Sequence, residues 1–250
     1  GGHLEQLSDN GNPLIYPNET EIRDMITVNG KRIFGISLSS GYSQIPKMGP
    51  YGFSVTGSYL HFDGKSLYTG GWGTFLVMDV DIKESTVSFQ NRDVVRRSSI
   101  GRITRMLQIE DDLFFTADGG IFKYSNESSE LSRFDIPEEP AGYFIDLAED
   151  TDGKLWACSK HNVYRKEENT WNIRYDLADL RSRLITGMVI DDDNNLWIAT
   201  EDGLINIVNG KSSRITMVNG LCSNRINELE YNPADSTLWI GTRRGITALN

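Results

Sequence analysis

The chain ends on STLWIGTRRGITALN (Ser236–Asn250), and NNLWIATEDGLINIV (Asn194–Val208) has the same frame 42 positions earlier. Leu-Trp-Ile, a small residue, Thr, two variable positions and a Gly ahead of alternating apolar residues recur in both. With the Leu as a ruler, LWACS at Leu155 and LFFTA at Leu113 extend the series, and successive marks lie 42, 41 and 42 positions apart. Weaker marks stand at LYTGG (Leu67) and IFGIS (Ile33), which makes six units. A period in the forties built from short strands is the signature of sheets repeated radially.

Each unit has the same internal order. Ahead of the ruler runs a strand with apolar residues three apart and then a polar position: Phe144, Leu147, Asp150; Ile185, Met188, Asp191; Ile226, Leu229, Asn232. A turn such as TDGK or DDNN follows, rich in residues that tolerate the positive φ of a tight hairpin. The ruler strand is β-branched and aromatic. A second turn then brings Gly120, Asn162, Gly203 or Gly245 to one register, where Gly fits a left-handed backbone and Asn is expected to substitute for it with φ > 0. A third strand and a short fourth (TWNIRY, SRITM, LSRFDI) complete the unit. Four antiparallel strands per unit predict an all-β fold, a β-propeller of six four-stranded blades occupying 1–250 as one domain. The last unit supplies three strands. HLEQL (3–7) precedes the first strand set, Ile22, Met25, Val28 and NGKRIFG, as SRITM precedes RINELEY, so it is expected to pair with the strand around 245–249 and close the ring.

Composition narrows the function. A net charge of −10 and a pI of 4.8 argue against nucleic acid or an anionic membrane surface as partner, since such binders need a dominant positive field. No apolar run reaches the roughly 18 residues of a membrane span, so no membrane contact is expected of this segment. The sequence begins GGHLEQLSDNGN, without Met, so any leader or anchor is expected outside it. Cys158 and Cys222 read as unpaired small residues.

The apolar-x-x-apolar-x-x-Asp strand, the Gly/Asn turn, LWIGT and the Gly-Leu after two free residues resemble the two-component regulator propeller repeat. NGLCSNRINELE resembles that family's inter-blade connector. The resemblance is specific over 141–250, fair over 103–140 and weak over 22–102, where the Leu-Trp pair is lost. It implies the periplasmic sensor domain of a bacterial hybrid two-component system, of the kind common in gut Bacteroidetes, which detects oligosaccharides and signals across the membrane to a histidine kinase. It also admits a homodimer of the full receptor. Family members commonly carry seven-bladed propellers, so an incomplete seven-bladed propeller is the alternative to six blades. The Trp-Asp pair of WD40 blades is absent, and the glycine pairs at 70–71 and 119–120 are too few for kelch repeats.

Catalytic chemistry is sparse. His3, His61 and His161 are scattered without metal-ligand spacing, and DDDNN (191–195) occupies a hairpin turn, where turn chemistry rather than calcium explains it. No catalytic residue, metal or cofactor is expected. Binding positions are better sought where blades differ. The two residues before the turn Gly change chemistry while their frame stays constant: Trp72-Gly73, Asp118-Gly119, Lys160-His161, Glu201-Asp202 and Arg243-Arg244. These turns are expected on the face that also carries the inter-blade connectors, around the mouth of the channel. The connector NRDVVRRSSIGRITR adds Arg92, Arg96, Arg97, Arg102 and Arg105, which with Arg181, Arg183, Arg225, Arg243 and Arg244 are expected to form a positive rim. Tyr42, Tyr51 and Trp72 are candidates for stacking on sugars. The candidate ligand site is therefore Trp72, Arg96, Arg97, Lys160, His161, Glu201, Asp202, Arg243 and Arg244, and its expected ligand an oligosaccharide, with an acidic one matched by the arginines. The leading expectation is an extracytoplasmic, non-catalytic sensor in the periplasm or outside the cell. A protein-interaction or structural module and a propeller-type polysaccharide lyase or hydrolase are the alternatives.

Overall fold

The structure is a computed structural model that describes residues 6–7, 13–14, 20–28, 31–38, 52–56, 59–83, 86–96, 98–134, 143–168, 170–177 and 184–249. It contains two compact units, 1–71 with 75–94, and 72–74 with 95–250. The candidate residue Arg97 and the rim residues Arg181 and Arg183 lie outside the described residues, as does most of the expected closing strand, and nothing described bears on the side chains of Tyr42 and Tyr51.

In the first unit β1 (Gln6–Leu7) pairs antiparallel with β2 (Pro13–Leu14). Residues 3–5 of the expected closing strand fall outside the description. Strands β3 (Thr20–Val28), β4 (Lys31–Leu38) and β5 (Gly52–Thr56) form a three-stranded sheet in which β5 runs parallel to β4. That departs from the expected all-antiparallel blade. The connection 39–51 is far longer than a hairpin, and a long crossover is what parallel pairing requires. Strands β6 (Tyr59–Phe62), β7 (Ser66–Gly70), β8 (Thr74–Lys83) and β9 (Thr86–Arg96) form a four-stranded sheet in that order.

The second unit repeats one sheet. Its members are β10 (Ile103–Ile109), β11 (Asp112–Ala117), β12 (Gly120–Ser125) and β13 (Glu130–Phe134); β14 (Phe144–Glu149), β15 (Leu155–Ser159), β16 (Asn162–Glu167) and β17 (Thr170–Asp176); β18 (Ile185–Ile190), β19 (Leu196–Thr200), β20 (Gly203–Val208) and β21 (Lys211–Ile215); then β22 (Ile226–Asn232), β23 (Thr237–Thr242) and β24 (Gly245–Leu249). Each sheet is an antiparallel meander in chain order, and among the described residues no fourth strand pairs with β24. All six rulers fall on the second strand of their sheet. Successive sheets enclose apolar cores, Phe144, Leu147, Leu155 and Ala157 against Ile121; Ile185, Met188 and Ile198 against Cys158 and Val163; and Leu229, Leu238 and Ile240 against Ala199 and Leu204.

In three sheets the polar position ahead of the ruler closes the hairpin. Oδ1 of Asp150 accepts the N–H groups of Asp152 (3.1 Å) and Lys154 (2.8 Å), while Oδ2 accepts the indole N–H of Trp156 at 2.8 Å. Asp191 repeats this with Asp193 (3.1 Å), Asn195 (2.8 Å) and Trp197 (2.8 Å). In the first unit Asp63 takes the N–H groups of Lys65 and Ser66, and Tyr68 donates its hydroxyl at 2.7 Å in place of the indole. The weak mark LYTGG is thus the same device with another aromatic donor. The Asp-rich 191–195 is a turn, with Asn194 at φ 61.

The second turn holds one correction. Gly120, Gly203 and Gly245 have φ of 131, 115 and 144, but Asn162 is not among the described non-glycine residues with positive φ. Those angles lie beyond the left-handed helical region in which Asn can replace Gly. The Asn162 turn is instead wider. Its last paired residues are Cys158 and Val163, the Asn162 N–H donates to Ser159 Oγ (3.2 Å), and its side-chain amide donates to the Tyr164 hydroxyl (3.2 Å).

Candidate functional site

The second turns and the connectors share one end of the second unit, held together by backbone hydrogen bonds. The N–H of Gly73 donates to Gly101 O (2.6 Å), Gly119 to Ile100 O (2.9 Å), Glu201 to Leu184 O (3.2 Å), Gly203 to Asn224 O (2.7 Å) and Arg243 to Arg225 O (3.1 Å). In the Asn162 turn the direction reverses, Ile185 donating to Lys160 O at 3.0 Å. The loops whose residues vary are therefore fixed to a rigid frame.

One cleft at this end has a volume of ≈ 500 Å³ and is lined by Glu201, Met217, Ser223, Asn224, Arg225, Arg243 and Arg244. It unites two of the variable turns with the connector between their blades. The two turns differ in charge and in what neutralises it. Glu201 Oε1 lies 3.5 Å from Arg225 Nη2, and Asp202 is paired with Arg214 and accepts the Asn224 side-chain amide at 3.4 Å. Arg243 and Arg244 are exposed and take part in no ion pair among the described residues. Their backbone is set by Thr242, whose hydroxyl accepts the Arg244 N–H (3.2 Å) and donates to Gly245 O (2.8 Å). The cleft therefore carries an excess of guanidinium groups in a protein of net charge −10.

Of the candidate residues, Glu201, Arg243 and Arg244 line this cleft, and Asp202 touches it through Asn224. Lys160 and His161 are exposed on the neighbouring turn, with Lys160 Nζ 5.2 Å from the centre of the Tyr143 ring. Trp72 is 74% exposed and bridges by backbone to Arg102. Arg96 is exposed at the end of β9. None of these four lines the cleft. Met217, Ser223 and Asn224 were not legible as site residues. The signal that could have found them is the register of TMVNGLCSNR, the connector bonded to both variable turns through Asn224 and Arg225.

The expected rim of arginines is not continuous. Arg92 pairs with Asp79 (3.2 Å), Arg102 with Asp118 (3.9 Å), and Arg105 is drawn among carboxylates: Nε lies 3.2 Å from Asp146, Nη1 2.7 Å from Glu228 and Nη2 3.8 Å from Glu230. For Arg105 the reason is a repeated β-bulge. Register slips between Ile103 and Arg105, Phe144 and Asp146, Ile185 and Gly187, and Ile226 and Glu228, so the second residue of each pair is turned to the same side of the row of first strands. Gly187 makes room there, since a Cβ would stand 3.1 Å from Asp146 Oδ2, which accepts the Met188 N–H at 3.0 Å. Burial, then repulsion from neighbouring acids working against Arg105, leaves the Asp146 and Glu228 carboxyls above their ordinary values.

Among the described residues no group of three or more His, Cys, Asp or Glu is placed to hold a metal, and no helix is long and apolar enough to cross a membrane.

The two component regulator propeller model matches residues 179–202, so the chain carries the repeat of that family. No curated protein sequence matches. Among solved structures, the chain is similar to the extracellular domain assigned to a one component system of B. thetaiotaomicron, with a TM-score of 0.67 and 14% identity over 98% of this chain and 34% of that one. A second extracellular domain, assigned to a hybrid two component system of the same bacterium, gives a TM-score of 0.55 and 14% identity over 78% of this chain and 33% of the other. Virginiamycin B lyase from Staphylococcus aureus gives a TM-score of 0.55 and 14% identity over 76% and 68%. The chain thus spans about a third of the length of the two extracellular domains. At these identities the likeness is one of fold.

Proposed function

Because the chain carries the two component regulator propeller repeat, we propose that it is the ligand-sensing part of an extracytoplasmic signalling receptor, and that its ligand is an acidic oligosaccharide bound in the cleft of Glu201, Arg225, Arg243 and Arg244. The observation that carries this reading is the unequal neutralisation of two equivalent turns. Glu201 and Asp202 have their arginines, while the exposed, consecutive Arg243 and Arg244 form no ion pair among the described residues. Carboxylate or sulfate groups on a sugar match such forks with charge-assisted hydrogen bonds. The backbone bonds between turns and connectors keep the cleft preformed, which lowers the ordering cost of binding a flexible glycan.

Calorimetric titration with uronate oligomers and with neutral oligosaccharides of equal length tests the reading. Binding of the uronate, weakening as salt rises, supports it; tight, salt-independent binding of the neutral glycan overturns the acidic preference. The fold shared with virginiamycin B lyase makes an enzymatic reading worth the same panel. Product released from any glycan, and lost on changing a cleft residue, would replace the sensor reading.

A further inference from the structure

Two consecutive apolar residues, one of them lining the same cleft, are exposed. Met217, which lines it, is 48% exposed and Val218 is 95% exposed. They do not sit on a loose loop tip. They form the 3-10 turn Met217–Asn219, closed at both ends by hydrogen bonds. Asn219 Oδ1 accepts the N–H (3.0 Å) and the hydroxyl (3.1 Å) of Thr216, the Asn219 N–H returns to Thr216 O (2.8 Å), and the Met217 N–H donates to Asn224 Oδ1 (2.8 Å). Gly220, at φ 108, lets the chain turn back so that Leu221 enters the core at 5% exposure, its N–H bonded to Thr216 O (3.2 Å). Asn224 in turn holds Asp202. One network therefore fixes both the apolar pair and the acidic turn.

A polar pair would serve the capped turn as well, so the turn itself does not call for apolar residues there. Met217 lines the cleft together with Arg243 and Arg244, and Val218 follows it on the same fixed turn, so an apolar surface and two guanidinium groups serve one cleft. We infer that the cleft recognises an acidic sugar that also carries an apolar substituent, such as an aryl or acyl group, with the acid on Arg243 and Arg244 and the substituent against Met217 and Val218. The inference rests on the acidic-ligand reading of this cleft and adds the second half of the ligand.

The test is calorimetry of the full chain with three probes: glucuronic acid, 4-nitrophenyl β-D-glucuronide and 4-nitrophenyl β-D-glucoside. The nitrophenyl glucuronide is expected to bind about tenfold more tightly than glucuronic acid, the gain of covering one modest apolar patch. Met217→Ser with Val218→Ser is expected to erase that gain, so that the nitrophenyl glucuronide and glucuronic acid bind the variant with equal affinity. Equal affinities for glucuronic acid and its nitrophenyl glucuronide, or a gain that survives the double substitution, overturn the inference and leave the acidic reading in place. A glucoside bound as tightly as the glucuronide, or no binding by any probe, overturns the acidic reading and the inference with it.

Discussion

Nη1 of Arg105 lies 2.7 Å from Oε1 of Glu228, although the two residues are 123 positions apart and belong to the first and last sheets of the second unit. Between them the chain builds two further sheets, and the network passes through both, to Asp146 of β14 and from there to the Met188 N–H of β18. Four first strands are thus tied by one guanidinium and one buried carboxylate. Their row must curve for its ends to meet in this way.

Arg105→Ala leaves Asp146, whose side chain is 7% exposed, without its cation. The expected loss is about 3–5 kcal/mol, the usual cost of stranding one member of a buried pair. Asp146→Asn made on top of it is expected to recover part of that loss. Urea unfolding of the two variants and the parent measures both.

The pH dependence of this network has a definite sign. The folded value of Asp146 is raised, chiefly by burial, and that of Glu228 in the same direction although its side chain is 57% exposed, so the folded chain holds these protons more tightly than the unfolded one. Their contribution to stability is greatest toward acid and declines as pH rises through the folded values. Asp150 acts in the opposite sense. Burial raises its value, but the Trp156 indole, the Lys154 N–H and Arg165 together bring it below 3.8, so its contribution is present above that value and lost as pH falls through the folded one. Asp150→Ala should remove the second effect and cost about 2–4 kcal/mol, because Trp156 and Arg165 lose a common acceptor. Unfolding midpoints measured from pH 3 to pH 7.5 on parent, Asp150→Ala and Glu228→Gln separate the two signs.

The turns at the connector end should respond unequally to substitution. A Cβ at Gly203 would stand 2.7 Å from Ile215 O at φ 115, so Gly203→Ala is expected to cost about 2 kcal/mol or more. Asn162→Gly should cost about 0.5–1 kcal/mol, since it frees the backbone and removes the bond to Tyr164. Thermal melts of the two variants check the order.

In the cleft, Arg243→Ala with Arg244→Ala should abolish the salt-dependent part of uronate binding. Glu201→Gln should strengthen it, because Arg225 is then released from its 3.5 Å ion pair. Titrations at low and physiological salt give both answers, and weaker uronate binding by Glu201→Gln would show that Arg225 serves the fold alone.

Much of this architecture was legible in the residues. The Leu-Trp ruler and the marks at Leu113, Leu67 and Ile33 fell on the second strand of the six larger sheets because a strand packed between sheets must alternate apolar side chains at a constant period. The turn glycines were legible because only Gly adopts the φ found there, and Asp150 and Asp191 ahead of their rulers because a hairpin needs an acceptor. What no local pattern carried was decided by tertiary structure. Asn162 stands at a glycine's place in the sequence, yet its turn opens by one pair, because φ beyond the left-handed helical region excludes any side chain. Arg105 lies in the same basic connector as Arg96, yet a bulge swings it toward three carboxylates while Arg96 remains exposed. Arg243 and Arg244 differ from Glu201 and Asp202 in sequence only by charge; which pair keeps its charge for a ligand depends on where Arg214 and Arg225 reach. Periodicity determines strands, since backbone geometry is local. Ion pairing is set by which side chains the folded sheets bring within a few ångströms, and residues forty or more positions apart meet only once those sheets have stacked.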